Sequence, residues 1–199
     1  CDHINNESVN RQAKKFLEYH VRGLIISGFE DETLTEEVSS LLSGCGIPVV
    51  FVERLANSQG FNRICVDNTR GGYFAARHLI EQGHKKIVYI SRGKTDYHAG
   101  SYRLEGFLKA IREEKQPPEY LIKTCSSPNT EEGYRALKEA ETELPGFTAV
   151  QAWYDGYVVG ALQYLYEKKL RVPEDVEVIG HDGTYSALLA PPVSSVCLP

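Results

Sequence analysis

Short apolar runs alternate with amphipathic stretches along nearly the whole chain, and this alternation restricts the fold more than any other feature. Leu24-Ile25-Ile26-Ser27, Val49-Val50-Phe51-Val52, Ile64-Cys65-Val66, Ile87-Val88-Tyr89-Ile90, Tyr120–Thr124, Thr148–Ala152 and Val176–Ile179 read as strands. Their continuous apolar character suits strands covered on both faces. Between them the apolar residues recur at helical spacing. Val9, Ala13, Phe16 and Leu17 predict a helix over Ser8–Tyr19, and Val38, Leu41 and Leu42 predict one near Leu34–Ser43. Asp67-Asn68-Thr69 predicts a capped helix start with Tyr73, Ala76, Leu79 and Ile80 inward, running to about Gln82. Leu104, Phe107, Leu108 and Ile111 mark another helix, Tyr134, Leu137 and Ala140 the next, and Val158–Tyr166 the last. A strand–helix alternation of this kind builds a parallel, doubly covered sheet. Periodicity alone leaves open whether there is one sheet or two.

Composition narrows the function. The chain has 199 residues, 42% hydrophobic and 25% charged, which suits a soluble globular protein with a substantial core. A net charge of −5 argues against duplex-DNA binding by this polypeptide itself, since phosphate neutralisation needs clustered Lys and Arg. The 5 cysteines are scattered, with no C-x-x-C pair, and the 6 histidines show no metal-ligand spacing, so neither metal nor cofactor is expected. Free thiols fit a reducing compartment, and the expected location is the cytoplasm. Membrane association is not expected, because no 18-residue apolar run exists. The dinucleotide-loop, phosphate-loop, nucleophile-elbow and zinc-protease motifs are missing, and an enzyme is not expected. Methionine is absent, where about four would be usual. With the strand-like Val193–Val196 close to the end of the chain, this predicts a longer natural protein.

Several polar residues fall where a parallel sheet presents its ligand crevice, beyond the carboxyl ends of the strands. Val176–Ile179 runs into Gly180-His181-Asp182-Gly183, so Asp182 is either a ligand acceptor or half of an ordinary Asp-Gly turn. Arg103 lies off the apolar stripe of its helix, in the expected first turn. Its spacing fits a five-donor ligand clamp or a surface ion pair. Trp153 and Tyr154 follow the Thr148–Ala152 strand and offer an aromatic platform. Asp155 reads as the cap of the following helix, and Asp67 and Asn68 read likewise as caps rather than ligand contacts.

"VRGLIIS" (21–27), "GIPVVFVER" (46–54), "ICVDNTRGGYFAARHLIEQGHKKIVYIS" (64–91), "YRLEGFLKAI" (102–111), "TEEGYRALKEA" (130–140) and "LRVPEDVEVIGHDG…APPVSSV" (170–196) together resemble the effector-binding core of the lactose-repressor/galactose-repressor family. The resemblance covers nearly the whole chain. It implies a periplasmic-binding-protein-like α/β fold: two doubly wound parallel-sheet lobes with a ligand cleft between them. The expected division is 1–84 for a partial N-terminal lobe, 85–192 for the C-terminal lobe and 193–199 for the start of a crossover segment. It implies a small-molecule effector, a sugar, bound between the lobes, operator DNA bound through a helix-turn-helix headpiece upstream, and a homodimer. A soluble sugar-binding receptor of a transport system uses the same fold and is the alternative. Arg103 and Asp182 are the effector contacts the resemblance implies, with Trp153, Tyr154, Tyr97, His181 and Arg70 expected around them. Where relatives carry Asn-Asp this chain has Tyr154-Asp155, and a stacking aromatic is absent at Ser127-Pro128-Asn129. The first departure points to a different effector, and Trp153 or Tyr97 is the expected replacement for the missing aromatic.

Overall fold

The computed structural model describes residues 5–27, 34–52, 60–92 and 99–197. The chain divides into two compact units, Cys1–Val66 and Asp67–Pro199. In the first, α1 (Asn6–Glu18), β1 (Leu24–Ser27), α2 (Glu36–Gly44), β2 (Val49–Val52) and β3 (Asn62–Ile64) form a parallel sheet in the order β1-β2-β3 with two helices. Asn5 and Ser8 cap α1 reciprocally, which starts the helix earlier than its apolar spacing alone predicts. Val9 and Ala13 meet Leu24, Val38, Leu42, Val49 and Phe51 in this unit's core.

The second unit contains α3 (Asn68–Glu81), β4 (Lys86–Ser91), α4 (Ala99–Arg112), β5 (Glu119–Thr124), α5 (Thr130–Glu143), β6 (Ala149–Ala152), α6 (Asp155–Glu167), β7 (Glu177–Asp182), a short 3-10 turn (Ser186–Leu188) and β8 (Ser194–Cys197). Its five strands are all parallel, in the order β5-β4-β6-β7-β8. Alternation along β4 sends Val88 and Ile90 to one face and Ile87 and Tyr89 to the other. The first face packs against Leu137 and Ala140 of α5 and Tyr157, Ala161 and Leu165 of α6. The second packs against Ala75, Ala76 and Leu79 of α3 and Phe107, Ala110 and Ile111 of α4. The sheet is thus doubly covered, as its apolar strands predict.

Two expected boundaries are corrected. The lobe boundary expected after residue 84 lies instead before Asp67, because the apolar stripe of α3 is buried against α4 and β4 and α3 belongs to the second unit. Residues 194–197 do not leave the second unit: they form β8 and pair along β7 from Ile179 to Asp182.

The α3–α4 contact is unusually close. A Cβ at Gly72 would overlap the Arg103 carbonyl, and one at Gly106 would overlap that of Thr69. Only glycine permits the two backbones to approach so far. That approach fixes where Arg103 stands.

Candidate functional site

The strand order of the second sheet has one reversal. From β4 the chain passes outward to β5, then returns to the other side of β4 as β6 and continues through β7 and β8. The crevice beyond β4 and β6 is therefore the switch point at which open α/β sheets bind ligands. Trp153 N–H donates to the Ile90 carbonyl at 2.9 Å, holding the ends of these two strands together. Arg92 follows β4 and Trp153 follows β6.

Arg103 is the centre of the site. Its helix begins at Ala99, so it lies a turn further in than the sequence suggests, and only 5% of it is exposed. Its Nε donates to Asn68 Oδ1 (2.8 Å), Nη1 to the Trp153 carbonyl (2.7 Å) and Nη2 to Asp182 Oδ1 (2.8 Å). One guanidinium thus joins the start of α3, the end of β6 and the end of β7. A buried cation needs such compensation, because desolvation otherwise costs several kcal/mol. The Asp182 side chain remains 26% exposed, so one face of the pair is open to solvent. Asp182 also has φ +89°, a left-handed conformation uncommon for a residue with a Cβ, and Gly183 continues it at +67°. The turn thereby swings the carboxylate back toward the arginine. Residues held in such conformations cluster at ligand sites.

Trp153 is 8% exposed, with Arg92 and Arg103 guanidinium carbons 5.6 and 5.8 Å from its ring centroid. Its ring lies 5.0 Å from that of Tyr154 and 6.0 Å from that of Tyr157. Tyr154 and Tyr157 are 4.6 Å apart, nearly edge to face. Burial raises the hydroxyl pKa of both tyrosines, so each is a neutral donor. The Tyr157 hydroxyl donates to the Ser127 carbonyl at 3.1 Å. Trp153 Nε1 is buried without a hydrogen-bond partner. Burial also pushes the neighbouring Cys125 thiol up to about 11, so it is not a thiolate nucleophile. This arrangement is suited to holding a polar ligand.

The sequence-derived candidates divide. Arg103, Asp182 and Trp153 are brought into contact, and Tyr154 packs beside them. Tyr97 lies outside the described residues. His181 does not line the rim. β7 continues through it to Asp182, and alternation turns its ring inward toward Gly71 and Val196 with 2% exposed. Burial, and secondarily the charge of Arg103, lower its pKa to about 3. Arg70 stands in the second unit rather than on the first lobe, exposed, with its guanidinium carbon 5.1 Å from the Phe74 ring centroid.

Two residues read as caps are differently employed. Asp67 does cap α3, accepting from Arg70 N–H, which leaves Asn68 for Arg103. The signal was the doublet itself, since one N-cap position needs one side chain. Asp155 is not the cap of α6; Tyr154 holds that position without a side-chain cap bond. Fully buried Asp155 instead accepts from Tyr185 N–H (3.0 Å), Ser186 N–H (3.3 Å) and Ser195 Oγ (2.9 Å), securing the turn that carries Asp182.

Among known proteins, the chain is 35% identical over 205 residues to the HTH-type transcriptional repressor PurR of Haemophilus influenzae (strain PittEE), matching 98% of this chain and 58% of that repressor. The chain therefore spans a little over half the length of that relative. A PurR-family transcriptional regulator from Vibrio parahaemolyticus RIMD 2210633 superposes with a TM-score of 0.81 at 24% identity, over 95% of this chain and 70% of the other. A transcriptional regulator CelR–cellobiose complex superposes with a TM-score of 0.70 at 28% identity, over 97% and 59%. Residues 76–199, more than half of the chain and nearly all of the second unit, match the family model described as periplasmic binding protein-like domain, and the chain belongs to that family.

Proposed function

We propose that this chain is the effector-sensing core of a transcriptional repressor, and that it binds a sugar or sugar derivative at the switch point of its second sheet. The observation that carries the reading is the Arg103–Asp182 pair: a buried, triply anchored guanidinium beside a carboxylate with one face open. Such a pair offers donors and an acceptor at fixed spacing, as recognition of neighbouring hydroxyls requires. Trp153 and Tyr154 supply ring surface for the apolar side of a sugar. The repressor relative and the cellobiose-bound regulator support a regulatory role over a transport receptor.

In this reading the protein works in the cytoplasm and is not an enzyme. It pairs as a homodimer so that two helix-turn-helix headpieces meet two operator half-sites. The effector alters DNA binding through unequal affinity for two conformations of the core, since equal affinity shifts nothing.

The test is calorimetric titration of a sugar panel against wild type, Asp182→Asn and Val178→Ala. Asp182→Asn is expected to weaken binding about ten- to a hundredfold through loss of a charge-assisted bond. Val178→Ala is expected to lower stability by about 2 kcal/mol through a core cavity and leave affinity unchanged. Wild-type affinity in the Asp182 variant would place the site elsewhere.

A further inference from the structure

The polar groups around Trp153 are unbalanced toward donors. Arg103 is neutralised by Asp182, and its three anchored N–H groups are committed to Asn68, the Trp153 carbonyl and Asp182. Asp155, the other carboxylate near the start of α6, has both oxygens turned to Tyr185, Ser186 and Ser195. Arg92 is partly buried beyond β4, with its guanidinium 5.6 Å from the Trp153 ring centroid and no carboxylate paired to it among the described residues. Trp153 Nε1 is a donor more than nine-tenths buried and unpartnered. The Tyr154 ring beside it lies over Gly156 in the first turn of α6, whose residues Asp155, Gly156, Tyr157 and Val158 are buried.

Arg92 and Trp153 Nε1 are both donors, and neither meets a side-chain acceptor among the described residues. Resting on the effector site argued above, we propose that the effector is anionic and that Arg92 and Trp153 Nε1 receive its phosphate or carboxylate group. A neutral sugar would satisfy the Arg103–Asp182 pair but leave Arg92 unmatched. A phosphorylated sugar or a sugar acid matches both halves of the crevice. Neither Arg92 nor Trp153 stands out from spacing alone as a charge site; strand order brings them together.

The experiment is calorimetric titration of the protein with matched probes: glucose, glucose 6-phosphate and glucuronate; ribose and ribose 5-phosphate; and inorganic phosphate alone. At least one anionic sugar is expected to bind tenfold or more tightly than its neutral partner. Phosphate esters and the carboxylate arm identify which anion is preferred. Arg92→Gln is expected to abolish the preference, and Arg92→Lys to restore most of it, with thermal melts showing all three proteins folded. Equal affinity for neutral and anionic partners overturns the anion assignment and leaves the effector site standing. A preference that survives Arg92→Gln also overturns it. Binding of inorganic phosphate as tight as any sugar phosphate, insensitive to Asp182→Asn, separates the anion from the effector site and overturns the assignment. Binding of no probe overturns both this inference and the effector reading.

Discussion

Arg103 organises three segments of chain because a guanidinium can donate in three directions at once. A lysine at this position has one nitrogen and cannot reach Asn68, the Trp153 carbonyl and Asp182 together. Arg103→Lys is therefore expected to cost about 2–3 kcal/mol in stability despite keeping the charge, read from urea midpoints. An unchanged midpoint would show that the three contacts are replaceable. His181 supplies a second prediction of opposite kind. Its folded pKa of about 3 lies below the ordinary value of 6.5, so on acidification the unfolded chain takes up the proton first. Stability is unaffected above pH 6.5 and falls as pH drops from there toward 3, by up to about 1.4 kcal/mol per pH unit. His181→Gln should flatten the profile by about 2 kcal/mol between pH 7 and 4.5 in denaturant titrations; parallel profiles would contradict it. Family resemblance, not spacing, singles out Arg103 and Asp182 in the sequence, and their pairing with each other is visible only in the fold. The employment of Asn68 and Asp155 was not, because a polar residue at a helix start satisfies local capping rules equally well whether or not a distant partner claims it.

At the level of elements, the contact between α3 and α4 depends on two glycines. Gly106→Ala would drive a methyl into the Thr69 carbonyl, and the helices would have to separate. The expected cost is about 1–3 kcal/mol, with weaker effector binding as Arg103 shifts. Gly44→Ala, at the end of α2 with nothing within 4 Å, is the control expected to leave the melting temperature within a degree or two. If both melt alike, the close crossing is not limiting. Apolar patterning located the strands β1, β2, β4, β5 and β6 and, among the described residues, the six α-helices. It stopped β7 at Ile179, because Gly180-His181-Asp182 carry no apolar signal. Pairing of these three residues with Ser195, Val196 and Cys197 extends the strand. The same limit put the start of α4 too late, since Ala99–Tyr102 offer little amphipathic pattern to read.

On the scale of the whole molecule, the chain changes unit between Val66 and Asp67, a point that no glycine-rich or proline-rich linker marks. Family resemblance implied two lobes, but the choice of lobe for α3 depended on which sheet buries its stripe, a tertiary fact. Asp67–Pro199 contains two apolar cores of its own, one on each face of its sheet. A polypeptide beginning at Asp67 is expected to fold cooperatively by circular dichroism and calorimetry; a broad, non-cooperative transition would show that it needs the first unit. Within this unit the hydrogen bonds around Asp155 have a fixed direction. Gly183 N–H donates to Ser195 Oγ at 3.1 Å, and that hydroxyl donates onward to Asp155, which also receives two backbone N–H groups from the 3-10 turn. Every arrow points toward the carboxylate, and none can be reversed without stranding a proton. An amide of identical shape would therefore be a poor substitute: Asp155→Asn would turn an N–H toward the Ser195 hydroxyl, which would then accept twice and leave its own proton without this acceptor. The position favours a group with no hydrogen to give.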